Sequence, residues 1–142
     1  MMRRRACLTL LASFFAIAGC GDSVMGPDDI SGRYELLTID GVMLPFTVIQ
    51  LGDEFSEVTS GFLQLNSDGT FTSSIITSST TAGSTQTVTE SEKGTWTQHG
   101  NQVTFTYFYV AVPIRTAIVS SNDIVWIDDN LSFMFKKMPA SD

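Results

Sequence analysis

The sequence predicts an all-β protein, a small antiparallel up-and-down barrel of about eight to ten strands behind a cleavable leader. Three observations predict it. From Ile30 onward no stretch repeats its apolar residues at a helical period. Short runs of alternating apolar and polar residues recur instead, separated by Asp-Gly, Ser-Asp-Gly and His-Gly-Asn turn signals. Finally, a sheet that large in so short a chain must fold over or close on itself, which removes its edges.

The leader comes first. Arg3, Arg4 and Arg5 precede an apolar run from Leu8 to Ala18, and small residues follow. That is the three-part layout of a secretory signal peptide. The run is about eleven residues, whereas a membrane-spanning helix needs roughly 20. Ile17-Ala18-Gly19-Cys20 resembles the lipobox of bacterial lipoproteins. The resemblance implies cleavage before Cys20, a diacylglyceryl group on its thiol and acylation of the new amino group. Several acyl chains hold a protein stably, because each buried methylene contributes about 0.8 kcal/mol and one chain alone is marginal. The reading therefore divides the chain into a leader at 1–19, a lipidated cysteine and tether at 20–29, and a barrel domain at 30–142. In the tether, Gly26-Pro27 and Asp28-Asp29 break any regular pattern. Some sorting systems read the residue after the lipidated cysteine, where aspartate signals retention. Gly21 in that place favours the outer membrane over the inner.

Composition narrows the function classes. Cys7 leaves with the leader and Cys20 is consumed by lipid, so the folded part has neither a disulfide nor a thiol for catalysis. After cleavage five basic residues remain (Arg33, Lys93, Arg115, Lys136 and Lys137) against fifteen carboxylates, a net charge of about −10. Such a surface repels nucleic acid and anionic headgroups. The expected membrane contact is through the acyl chains on Cys20.

The strands follow in order. Gly32–Ile39 is the first, ended by Asp40-Gly41. Val42–Leu51 follows, and Pro45 inside it predicts an edge or a bend. Gly61–Asn66 and Thr70–Thr77 flank Ser67-Asp68-Gly69, the clearest hairpin. Thr85–Glu90, Gly94–Gln98, Gln102–Val110, Ile114–Ser120, Asp123–Ile127 and Leu131–Lys137 complete the set. Alternation puts Leu63, Leu65, Phe71, Val103, Phe105, Tyr107, Tyr109, Leu131, Phe133 and Phe135 inside. Both faces of Ile124–Ile127 are apolar, so Trp126 has no assigned side. Thirteen of the twenty residues from Thr72 to Ser91 are serine or threonine, which predicts a long exposed hairpin, since threonine favours strands.

Gly32-Arg33-Tyr34 and Asp40-Gly41-Val42-Met43-Leu44-Pro45 resemble the opening of lipocalin-like domains of bacterial lipoproteins. Leu63-Gln64-Leu65-Asn66-Ser67-Asp68-Gly69-Thr70-Phe71, Gly94-Thr95-Trp96 and Phe133-Met134-Phe135-Lys136 match the later pieces in order and spacing. The resemblance implies an up-and-down barrel, often with an apolar cavity. Lipocalins proper open with Gly-x-Trp, whose ring closes one barrel end under a basic side chain from a late strand. Tyr34 replaces that tryptophan here, with Arg115, Lys136 or Lys137 to supply the cation.

Candidate chemistry is sparse. The one histidine, His99, falls in a turn beside Gly100, a poor place for a residue held between nucleophile and carboxylate. Asp53, Glu54 and Glu57 cluster in one expected loop and Asp128, Asp129 and Asn130 in another, neither with the layout of a calcium loop. No phosphate loop precedes a helix. No enzyme activity, cofactor or metal is expected. The inward aromatics leave two functions open. Tyr34, Trp96, Phe105 and Tyr107 line a site for a small apolar ligand, or the rings fill the barrel and the surface binds an envelope protein.

Overall fold

The computed structural model describes residues 29–109, 114–128 and 130–139, which form ten strands and no helix. The leader, Cys20 and all of the tether before Asp29 lie outside the described residues. The strands are β1 (Gly32–Ile39), β2 (Val42–Met43), β3 (Phe46–Leu51), β4 (Glu54–Leu65), β5 (Thr70–Thr81), β6 (Ser84–His99), β7 (Gln102–Tyr107), β8 (Arg115–Ser120), β9 (Asp123–Asp128) and β10 (Leu131–Lys137).

Every pairing is antiparallel and, from β4 to β10, each strand pairs with the next. The ring closes where β10 pairs with β1 and Gly32–Glu35 of β1 pair with Phe62–Leu65 of β4. Eight strands thus make a closed barrel, and β2 and β3 are additions to its wall. The entry end of the barrel holds Gly32, Lys137 and the tight turns at 66–69, 100–101 and 121–122. In the 66–69 turn, Asp68 Oδ1 accepts from the Thr70 amide at 2.9 Å and from its hydroxyl at 2.6 Å. This Asx turn satisfies a backbone donor at the hairpin tip.

The interior is made of rings. Phe71 meets Phe105 at 5.0 Å and Tyr107 at 5.3 Å edge to face. Trp126 lies 5.7 Å from Phe105 and 4.7 Å from Phe135. Such pairs add about 0.5–1.5 kcal/mol each beyond their burial. Trp126, the residue without an assigned side, therefore stands at the centre of the core, and it is 2% exposed. Gly94 makes this packing possible. A Cβ there would fall 2.0 Å from the Thr106 carbonyl oxygen and 2.7 Å from Phe71 Cε1.

Several expected boundaries move. The Val42–Leu51 run is two strands, broken at the Leu44–Pro45 peptide, which is cis. Glu54 and Glu57, expected in a loop, lie in β4, and only Asp53 sits in the turn before it. The two strands expected within Thr85–Gln98 are one sixteen-residue strand, β6. Polar residues on both faces hid its upper half, which pairs with β5 throughout, from Thr81↔Ser84 to Thr70↔Thr95. The serine–threonine stretch is thus a hairpin, turned at Ala82-Gly83. Strand β7 stops at Tyr107, so Tyr109 is not inside but 71% exposed. Val110 and Asp129 are outside the described residues.

Candidate functional site

The four aromatic residues singled out from the sequence stand in three places. Phe105 and Tyr107 belong to the packed ring cluster on Phe71. Trp96 is half-buried near the entry-end turn, and its indole N–H donates to the Asn66 carbonyl at 3.1 Å. Tyr34 plugs the entry end: its hydroxyl donates to the Ile30 carbonyl at 2.7 Å. Burial, with Asp29 adding to it, pushes the Tyr34 phenol up to about 12.

The cation over Tyr34 is Lys137, whose Nζ lies 5.8 Å from the ring centroid and donates to the Asp29 carbonyl at 3.0 Å. Gly32 leaves room for that stem, since a Cβ there would meet Lys137 Cε at 3.0 Å. Arg115, another cation considered for this end, stands at the opposite one. There Nη1 bonds Glu92 Oε2 and the Tyr107 hydroxyl, both at 3.0 Å, and Nη2 bonds Asp128 Oδ2 at 2.6 Å. Burial works to lower the Arg115 guanidinium, but Tyr107, Glu92 and Asp128 outweigh it and raise it. Burial also pushes the Tyr107 phenol up to about 12, against the pull of Arg115. Arg115 Nε and Trp126 Nε1 are buried and have no acceptor among the described residues. This polar layer lids the far end of the ring cluster. Sequence reading missed it because Glu92, Tyr107, Arg115 and Asp128 come from four strands with no motif in common.

A roomy opening lies in the wall. Beyond Glu35 and Phe62, β1 and β4 separate, each at an irregularity of register. Leu37 has no counterpart across β10, and Thr59 none across β5. Bulges bend a strand and increase its twist, so two of them facing each other part the seam. Above the parting, β1 takes β2 as its neighbour and β4 takes β3. The resulting cleft holds about 500 Å³. Its apolar walls are Leu36, Leu37, Met43, Leu44, Phe62 and Ile76, with Thr59, Ser60 and Gly61 along β4. Arg33 and Glu35 line it on β1, and the Arg33 guanidinium lies 4.2 Å above the Phe62 ring. Pro45 was the one sequence signal near this site; the bulges themselves leave no mark in composition.

Other candidates are dispersed. His99 ends β6, exposed, opposite Gln102. Among the described residues no three His, Asp or Glu side chains gather as a metal site would require. The fold and the cleft together define a closed eight-stranded antiparallel barrel with a parted seam. No protein-family model matches the chain, and no curated protein matches it significantly.

Proposed function

We propose that this protein is a lipid-anchored lipoprotein of the cell envelope, on the outer membrane, whose lipocalin-like barrel binds a small apolar ligand in the parted seam. The lipobox-like Ile17-Ala18-Gly19-Cys20 supports the anchor. Tyr34 under Lys137, behind Gly32, supports the lipocalin-like reading, because it is the end-closing pair that the resemblance implies.

One observation carries the ligand reading: the rings pack together inside the barrel, and a largely apolar cleft of about 500 Å³ opens in the wall instead. Its volume falls in the range of small-molecule sites, roughly 300–1,000 Å³. Apolar walls supply the affinity, and Arg33, Glu35 and Ser60 supply the few polar contacts that orient a ligand. No catalytic step is assigned. The cleft residues include no histidine and no pair of converging carboxylates.

Photolabelling of the purified chain with a diazirine-bearing fatty alcohol tests the reading. Labels should map to Leu37, Met43, Leu44 and Phe62, and Leu37→Glu should suppress them. Labels spread evenly over the outer wall, or confined to the ring cluster, would contradict it. Mass spectrometry of the N-terminal peptide tests the anchor: acylated Cys20 is expected, and an unmodified thiol would rule the anchor out.

A further inference from the structure

Strand β3 occupies one end of the strand order, so among the described residues one of its backbone edges has no neighbour. Edge strands are ordinarily guarded by lysine, proline, an inward charge or a bulge. Phe46-Thr47-Val48-Ile49-Gln50-Leu51 holds no charge and no proline; Pro45 stands just before it, and its one irregularity of register, at Val48, leaves Ile49-Gln50-Leu51 in regular pairing with β4. Val48, Ile49 and Leu51 are 49%, 54% and 71% exposed. On one face Ile49 and Leu51 border a hollow of about 150 Å³, lined also by Glu54, Phe55, Ser56 and Ser79, with room for a side chain of an added strand.

The charge around this edge has one sign. Asp53, Glu54 and Glu57 lie in the adjoining turn and in β4, and Glu90 lies on the same projecting sheet. From Tyr34 to Glu92 the sequence contains no lysine, arginine or histidine. A second copy pairing edge to edge would set these carboxylates against their own kind, which is unfavourable. A strand bearing lysine or arginine between apolar residues would meet complementary charge and a complementary hollow.

We infer that β3 is a docking edge, which takes up an extended, basic and apolar segment of a partner protein as an added antiparallel strand. The site is separate from the seam cleft and stands whether or not the cleft binds a ligand.

Amide exchange over β3, read with three synthetic peptides, tests this on the purified chain. The first alternates lysine and valine; the second replaces its central valine with proline; the third alternates glutamate and valine. The lysine–valine peptide should bind saturably and slow exchange within Phe46–Leu51. The proline peptide has the same charge but cannot complete the strand, so it should bind at least about tenfold more weakly. Glutamate–valine should not bind. Combining Glu54→Gln and Glu57→Gln should weaken the first peptide by about fivefold, the scale of two exposed charge pairs. Equal binding of the proline peptide would reduce the effect to nonspecific electrostatics and overturn the inference. So would protection outside β3, or protection of β3 by self-association alone.

Discussion

Near its entry end the sheet is a ring, while toward the far end β3, β4, β5 and β6 run on as a projecting sheet. Strands β7 to β10 are six or seven residues long, whereas β5 has twelve and β6 sixteen. In the ring each strand has two neighbours, and the interior they enclose is apolar and rich in aromatic rings. In the projection the cross-strand contacts are hydroxyl pairs, Ser56 with Ser79 at 2.9 Å and Thr80 with Thr85 at 2.9 Å. Hydrogen bonds of that kind contribute only about 0.5–1.5 kcal/mol net, since water offers the same bonds. The contrast separates two tasks within one sheet. Ring packing holds the fold, and the parted seam and the edge of β3 are the surfaces proposed for recognition.

Substitutions sharpen that contrast. Phe105→Ala should have the largest effect, a loss of about 3–5 kcal/mol measured by urea unfolding, because a fully buried ring leaves a cavity among Phe71 and Trp126. Gly94→Ala comes next at about 3 kcal/mol, since its methyl group would collide with the Thr106 backbone, which cannot swing aside. Arg115→Met should cost about 2 kcal/mol by strand-spanning bonds lost to Glu92, Asp128 and Tyr107. By contrast Thr80→Ala in the projection should change stability by less than about 0.5 kcal/mol. A large effect there would contradict the division of labour.

Alkaline pH probes the barrel alone. Tyr34 and Tyr107 ionise near 10 in the unfolded chain and at about 12 when folded. As pH rises, the unfolded chain therefore releases these protons first. The stabilisation is complete below pH 10, falls between 10 and 12, and is gone above the folded value. Urea midpoints should drop across that window, and Tyr34→Phe combined with Tyr107→Phe should flatten the drop.

What was legible in the sequence follows the same line. In the ring, alternation is strict: Val103, Phe105 and Tyr107 point in and Thr104 and Thr106 do not, so faces and most boundaries were readable. In the upper half of β6 nearly every residue is polar, so the period that marks the strand disappears above Glu92. Glu54 and Glu57 looked like loop residues because an exposed strand tolerates charges that a buried one does not. The seam was illegible for another reason. It arises where Leu37 and Thr59 drop out of register, a property of how strands pair and not of any one segment. Tyr34 and a late basic residue were readable as a pair, although choosing Lys137 over Arg115 required the strand order.

The most direct test sets the seam against the interior in one binding assay. Affinity for a fluorescent fatty-acid probe is compared among the unmodified chain, Leu37→Glu in the cleft wall and Phe105→Leu in the ring cluster. Leu37→Glu should abolish saturable binding, while Phe105→Leu should lower stability and leave affinity within about twofold. Binding that survives Leu37→Glu and fails in Phe105→Leu would place the ligand inside the barrel and contradict the account.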